Sequence, residues 1–110
     1  MSKPADHVQG MLDLLLLKIL ALGPVHGWAI GQRLKQISSD DLQVSDGSLY
    51  PALHKLEQHG LISATWKKTE LGRRAKFYSL TNKGKDELEK EIQTWERATA
   101  LVTRFLQDLS

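Results

Sequence analysis

The sequence predicts a mainly helical fold with one small antiparallel β-hairpin. Three observations lead to this fold class. Apolar residues recur at helical spacing in four segments, a glycine closes the third of them, and two alternating segments then flank a basic turn. With 110 residues, the chain is long enough for one domain with a modest core, to which a second copy would add useful burial.

The first predicted helix covers residues 11–22 and is apolar on nearly all sides. Asp13 and Lys18 interrupt its leucine run, which is too short to cross a bilayer, so we expect neither a signal peptide nor a membrane span. Such a helix must be covered on every side, by its own fold or by a partner. A second helix is predicted at about residues 27–38, after a glycine-proline pair.

The third helix is predicted at about residues 46–59, with Ser45 or Asp46 as N-cap and Gly60 as the closing glycine. Three leucines repeat at i, i+4 and i+7 and face inward. Pro51 follows Gly47 by four residues, and the glycine leaves room for the proline ring. The polar face of this helix carries Ser48, Tyr50, Pro51, His54 and Lys55.

Residues 61–80 are predicted to form the hairpin, with its turn at residues 69–72. The net charge of +2 is concentrated here, because residues 61–81 carry five Lys/Arg against one Glu, whereas the segments before and after each sum to −1. A local basic patch is typical of a nucleic-acid site. The alternative is a solvated hairpin whose lysines prevent edge-to-edge aggregation. Three helices followed by two strands is the order of a winged helix-turn-helix.

Residues 82–110 are predicted as one long helix with Thr81 as N-cap. The apolar residues alternate in spacings of four and three, as in a coiled coil. They are Leu88, Ile92, Trp95, Thr99, Val102, Leu106 and Leu109, with Ala98, Leu101 and Phe105 in a second stripe. A helix over residues 82–109 is about 42 Å long, more than a domain this small can cover. We therefore expect a second chain to cover it, the alternative being that it folds back on its own domain.

The run GSLYPALHKLEQHGLI, with HGWAI before it and GRRAKFYSLTNKG after it, resembles the PadR family of bacterial transcriptional regulators, in particular its short members with one C-terminal helix. The resemblance extends from about residue 12 to residue 105. Trp28 and Phe77 stand where the family more often has tyrosine, and Ser79 where it often has a cation. The implied fold is a winged helix-turn-helix over residues 1–81, with its recognition helix at 46–59 and its wing at 61–80, followed by a dimerisation helix at 82–110.

The resemblance implies a homodimeric repressor that binds an inverted repeat in double-stranded DNA. The implied DNA-binding residues are Ser48, Tyr50, Pro51, His54 and Lys55 on the helix and Lys68, Arg73, Arg74 and Lys76 on the wing. Cations supply affinity without sequence preference, and only Tyr50 and His54 can reach base edges with polar atoms, so we expect part of the specificity to come from DNA shape. The expected dimer interface comprises Leu12, Leu15, Leu88, Ile92, Trp95, Thr99, Val102, Phe105 and Leu106, with the first helix between the two long ones.

Trp66 and Trp95 match tryptophans that flank a flat aromatic-binding pore at the dimer centre in a multidrug-sensing branch of the family. The resemblance therefore implies a candidate pocket for a planar aromatic or phenolic effector. The alternative is structural, with Trp66 in an inward strand position and Trp95 in a heptad position.

Enzymatic functions find no support in the sequence. There is no cysteine, which also makes a cytoplasmic location the best fit, and no phosphate-binding glycine loop. His54 and His59 lie about 140° apart around their helix and cannot share a metal ion. We expect no catalytic site, cofactor or metal, and interpret His26 as a capping or surface residue. The alternative function is a protein-interaction module built on a winged-helix dimer that does not read DNA.

Overall fold

A computed structural model describes residues 4–38 and 44–109, with side chains from Gly10 onward. The elements in chain order are α1 (Pro4–Leu20), β1 (Val25–His26), α2 (Gly27–Ile37), α3 (Asp46–Gln58), β2 (Ile62–Lys68), β3 (Arg74–Leu80) and α4 (Asn82–Asp108). The prediction of a mainly helical fold with a small antiparallel sheet is confirmed. In the part of the chain that the structure describes, no helix combines the length and apolar character that crossing a membrane requires.

The first helix differs from its predicted bounds at both ends. It begins at Pro4 instead of residue 11, since proline suits the first turn of a helix and the residues after it allow the helix to continue. It ends at Leu20, where Gly23 donates to the Leu20 carbonyl in a tighter turn.

The sheet has a third strand that the sequence did not predict. Val25 pairs with Tyr78 and His26 pairs with Phe77, which gives the antiparallel strand order β1-β3-β2. Two residues are too few to display an alternating pattern, so β1 could not be identified by periodicity. Its position at the edge of β3 places the start of α2 beside the wing.

One hydrophobic core joins all four helices to one face of the sheet. It consists mainly of leucine and isoleucine, with Leu16, Leu17, Ile30, Leu49, Leu53 and Ile62 fully buried. Leu12 and Leu88 belong to the same core, at 4% and 7% exposure. Side chains buried within one protomer offer little surface to another, and the place of these two leucines in a dimer interface stays a prediction.

The connection from α3 to β2 is a glycine-closed helix end. Gly60 has φ of +75°, which favours glycine, and its N–H donates to the Glu57 carbonyl. The Leu61 N–H donates to the Leu56 carbonyl at 3.0 Å, which completes a Schellman motif. Gly60 thus closes α3 as predicted and turns the chain directly into the wing.

The start of α4 is attached to this same connection. Thr81 is the N-cap of α4, as predicted, and its hydroxyl accepts a hydrogen bond from the Gly84 N–H at 3.0 Å. That hydroxyl also lies 2.7 Å from the Gly60 carbonyl oxygen, to which it donates. The Lys83 ammonium donates to the His59 carbonyl at 2.8 Å. The end of α3 and the start of α4 therefore share one hydrogen-bonded joint.

The second half of α4 extends away from the domain. Every residue from 96 to 109 is exposed, and the longest dimension of the chain is 57 Å. The large apolar side chains on this half are Leu101, Val102, Phe105, Leu106 and Leu109.

Candidate nucleic-acid interface

The exposed face of α3 is the side opposite its buried leucines. Ser48, Tyr50, Pro51 and His54 all reach solvent there. The Ser45 N-cap makes no side-chain bond to the helix backbone, and its hydroxyl lies 3.4 Å from that of Ser48. The first turn of α3 is therefore capped by no side-chain hydrogen bond from Ser45.

Lys55 does not belong to this exposed face. Its ammonium forms an ion pair with Asp13 of α1, at 2.8 Å from the Oδ2 atom. Lys55 lies about 100° around the helix from His54, on the side that packs against α1. Its charge is thus paired between two helices of the same domain, and its expected position near the rim of the DNA groove stays a prediction.

The wing carries its charges on a surface continuous with α3. In the register of β2 and β3, Trp66 faces Lys76 and Lys68 faces Arg74, so these four side chains share one face. The turn beyond them is closed by hydrogen bonds from Thr69 N–H to the Arg73 carbonyl and from Gly72 N–H to the Thr69 carbonyl. Lys68, Arg73 and Arg74 are exposed and form no ion pair with another described residue.

Lys76 differs from these three cations. Its ammonium lies 3.3 Å from the Glu57 carboxylate on α3 and 5.4 Å from the centre of the Tyr78 ring. It therefore connects the wing to α3, and its contact with a DNA phosphate stays a prediction.

Trp66 is exposed, although its strand position points to the inner face of the sheet. Ala64 and Tyr78 form the last cross-strand pair that the helices cover, and Trp66 lies one pair nearer the tip, with 58% of its surface exposed. The Arg74 guanidinium lies 5.6 Å from its ring centre. Trp66 thus lies on the inner face of the sheet, as predicted, but it does not fill a core position. Alternation predicts which face of a strand a residue occupies, but not how far along the strand the helices cover that face.

The two tryptophans of the expected effector pocket are placed on different parts of the protomer. Trp66 lines a cavity together with residues of α2, α3 and the sheet, and Trp95 is not among them. Trp95 lies half-buried on α4, at the edge of its exposed half. A pocket shared by both at a dimer centre stays a prediction.

His26 caps α2, as the sequence indicated. Its Nδ1 atom accepts a hydrogen bond from the Ala29 N–H at 3.4 Å, and its ring makes an edge contact with Phe77 and stacks on Trp28.

Three exposed residues near this surface were missed by the sequence analysis. Gln58 follows His54 by four residues on the exposed side of α3, a spacing that could have identified it. Lys67 lies on the other face of the wing, 5.9 Å from the Phe77 ring centre. Trp28 is 69% exposed at the start of α2 and could not be placed beside the wing without knowledge of β1.

The geometry defines a winged helix-turn-helix whose basic wing adjoins the exposed face of its third helix. Among the described residues, no group of three or more His, Cys, Asp or Glu side chains is arranged to hold a metal ion.

Comparison with known proteins identifies the family. Residues 16–90 match the "Transcriptional regulator PadR-like family". A PadR-like transcriptional regulator from Bacillus cereus has a similar structure, with a TM-score of 0.82 and 31% identity, covering 93% of this chain and 97% of that one. The structure of a PadR-like transcription factor from Bacteroides fragilis has a TM-score of 0.78 and 30% identity, and the match covers 92% of this chain and 95% of that one. The structure of a PadR family regulator from Clostridium difficile has a TM-score of 0.75 and 32% identity, and the match covers 86% of this chain and 97% of that one.

The chain belongs to the PadR-like family of transcriptional regulators. It is a DNA-binding regulator with a winged helix-turn-helix, and proteins of this family are not enzymes, which confirms two predictions from the sequence. Dimerisation is typical of the family.

Proposed function

We propose that the chain acts as a homodimeric repressor that binds an inverted-repeat operator. One observation carries this proposal: the same chain has a possible DNA-reading surface, formed by the exposed face of α3 and the basic wing, and an α4 whose second half is exposed throughout. Repression is the simplest outcome, because a small domain bound over a promoter excludes other proteins.

The exposed half of α4 supports the dimer. Its apolar side chains recur along one side of the helix, and 56% of the surface of Phe105, for example, is exposed to water. A second copy of α4 would cover them, as in a coiled coil or helical bundle. Of the expected interface, Thr99, Val102, Phe105 and Leu106 are exposed and Leu15, Ile92 and Trp95 are partly buried.

The reading surface supports sequence-specific binding to DNA. We infer that the exposed Lys68, Arg73 and Arg74 contact phosphates, and that Tyr50 and His54 on the exposed face of α3 approach base edges. Two base-reading side chains per copy are few, so we infer that two copies and DNA shape together give the specificity.

Selection of bound sites from random duplexes tests this proposal directly. Two copies related by a twofold axis should select inverted repeats whose half-sites lie roughly 34 to 36 Å apart, one helical turn of DNA. Footprinting of the selected sites should show two equivalent protected segments. A single asymmetric site occupied by one copy would contradict the proposal.

Failure to select any duplex would favour the protein-interaction module. The wing cations would then bind an acidic protein surface. Binding that is weak for every duplex at low salt identifies that outcome, because phosphate contacts are strongest when counterions are dilute.

An effector at the dimer centre is part of the proposed function. The position of Trp95 supports this part of the proposal, because α4 carries it next to the exposed half of the helix. Two Trp95 rings near a twofold axis could hold a planar aromatic ligand between them and change the angle between the arms. Release of a labelled operator by that ligand, lost in Trp95→Leu, would support this mode of relief.

A further inference from the structure

We propose that Gly27, the first residue of α2, is a positioning residue that helps to determine which base pairs the protein selects. It contacts no base in this proposal. Instead, its missing side chain leaves room for the ring of Tyr50 on α3 and so fixes the direction in which that ring approaches DNA. The contact between the two residues lies within one protomer, whereas its effect on base selection rests on the proposed function.

The Tyr50 ring lies directly against Gly27. A Cβ atom added to this glycine would lie 2.8 Å from Cε1, 3.1 Å from the hydroxyl oxygen and 3.3 Å from Cζ of Tyr50. No real Cβ atom approaches another side chain as closely as the first of these distances. Gly27 is buried, whereas 43% of the surface of Tyr50 is exposed. The hydroxyl end of the ring therefore crosses from α3 to the start of α2 and still reaches solvent.

No backbone requirement explains a glycine at this position. Among the described residues, the glycines with a positive φ are Gly23, Gly60 and Gly72, and Gly27 does not belong to them. Alanine would also be the better helix former in the first turn of α2. The room that the glycine leaves for Tyr50 is the benefit that offsets its poorer helix propensity.

The surrounding fold holds both sides of this contact in place. His26, just before the glycine, pairs with Phe77 in the sheet and accepts the capping hydrogen bond of α2. Leu49, just before the tyrosine, is 2% exposed in the core. A shift of either backbone would disturb the sheet or the core. A larger residue at position 27 should therefore displace the Tyr50 ring instead.

Displacement of this ring should change its direction at little cost in stability. The atoms that touch Gly27 are at the free end of a side chain, which can move to another rotamer, unlike a backbone carbonyl. Rotation about χ1 moves the Tyr50 hydroxyl further than any other atom of the residue. A substitution at position 27 should therefore alter DNA contacts much more than it alters the folded domain.

The contact also separates the two candidate base-reading side chains. His54 follows Tyr50 by four residues, about one turn further along α3. Because the hydroxyl end of Tyr50 lies beside the start of α2, we expect it to meet DNA at a different place from His54. Each side chain should then select its own base pairs within a half-site. Gly27 should influence the positions that Tyr50 selects and no others.

Selection of sites from random duplexes, repeated with full-length variants, tests this role. Gly27→Ala and Tyr50→Ala should lose preference at the same base pairs, by roughly tenfold, the usual contribution of one base contact. His54→Ala should lose preference at other base pairs. Gly31→Ala is the matched control in α2, since its added Cβ would lie at an ordinary 3.6 Å from Leu49 Cδ2, and it should keep every preference.

The double variant Gly27→Ala/Tyr50→Ala separates positioning from damage to the fold. Once the tyrosine ring is absent, the added methyl group has nothing to displace, so the double variant should select the same sites as Tyr50→Ala alone. A further loss of preference in the double variant would overturn the proposal, as would a loss in Gly31→Ala equal to that in Gly27→Ala. Urea unfolding should give Gly27→Ala a midpoint close to that of the natural chain, and a large decrease would likewise contradict the positioning role.

Fluorine NMR tests the contact without DNA. The chain has two tyrosines, so labelling with 3-fluorotyrosine gives two labelled rings, and Tyr50→Phe identifies the one on α3. Gly27→Ala should shift the Tyr50 signal, and Gly31→Ala should leave it in place. An unchanged signal in Gly27→Ala would show that the ring does not lie on the glycine and would overturn the proposal. If the signal shifts but the protein selects no duplex, the proposed function fails while the contact stands.

Discussion

At Gly84, α4 packs directly against the backbone at Leu61, just before β2. A Cβ atom on this residue would collide with the Leu61 carbonyl oxygen, which belongs to the backbone and cannot rotate away. We expect Gly84→Ala to lower the free energy of unfolding by about 1 to 3 kcal/mol, as other overpacking substitutions do. Urea unfolding at one protein concentration measures it.

Gly10→Ala is the matched control for that substitution. Gly10 also lies inside a helix, but an added Cβ would have no neighbour within 4 Å. The same change should therefore stabilise the protein by about 0.5 to 1 kcal/mol, because alanine is the better helix former. Equal effects at the two positions would show that α4 does not pack as described.

Two cations near α3 should respond differently to salt. Arg73 is exposed on the wing, whereas Lys55 is paired with Asp13, whose Oδ1 atom is buried without a hydrogen-bond partner among the described residues. We expect Arg73→Gln to reduce the log-log salt slope of operator binding by about one. Lys55→Gln should leave the slope unchanged and lower stability instead. A reduced slope in Lys55→Gln would place that lysine back on the DNA.

Glu91 makes stability depend on pH. Burial raises the pKa of its carboxyl, and the neighbouring Glu87 raises it further. The folded state thus binds the Glu91 proton more tightly than the unfolded state, so this group's contribution to stability falls as pH rises from the ordinary glutamate range through the folded pKa.

Glu91→Gln should remove that loss. We expect the free energy of unfolding to rise at pH 7 by less than about 1 kcal/mol, since the side chain is only partly buried, and to be unchanged near pH 4 and below. Urea unfolding between pH 4 and 8 measures it, with the exposed Glu89→Gln as control. A gain that is the same at all pH values would exclude this cause.

The exposed half of α4 is the element whose behaviour decides the oligomeric state. Phe105→Asp places a charge in the middle of its apolar side and should convert the proposed dimer into monomers, because burying an unpaired carboxylate is costly. Analytical ultracentrifugation measures this. Ala100→Asp, about 140° further around the helix, should remain dimeric. Monomers in both variants would indicate loss of the helix rather than of an interface.

The elements differ in how far the sequence alone predicts them. α3 and α4 are identified by spacing and caps, because Gly60 and Thr81 make the local hydrogen bonds that such residues usually make. β1 is too short for any pattern, and its two residues form a strand only because β3 lies beside them. Local regularity is predictable, whereas pairing between distant segments is not.

The candidate site shows the same division. Exposure of Ser48, Tyr50, Pro51 and His54 follows from the positions of the buried leucines on α3. The partners of Lys55 and Lys76 do not, because a long side chain can reach acids on elements whose placement depends on the tertiary fold. The exposure of Trp66 likewise depends on where the helices stop covering the sheet.

For the whole molecule, stability should depend on protein concentration. If two copies bury their α4 helices against each other, mass action stabilises the folded dimer by about 1.4 kcal/mol for each tenfold increase in concentration. The Tm of the natural chain should therefore rise with concentration, while that of Phe105→Asp should stay constant. Differential scanning calorimetry over two decades of concentration makes the comparison, and a constant Tm in both would argue against an obligate dimer.

The joint at Thr81 makes α3 and α4 tilt together. The Thr81 hydroxyl donates a hydrogen bond to the Gly60 carbonyl just after α3, and the Lys83 ammonium donates one to the His59 carbonyl. A rotation of α4 should therefore also move the C-terminal end of α3. The 13 residues of α3 span about 20 Å, so a tilt of about 10° at that end moves its reading end by about 3.4 Å. That displacement equals the rise of one base pair. In the proposed dimer, a change of this size in the angle between the two α4 helices would therefore be enough to shift each α3 by about one base pair along the DNA.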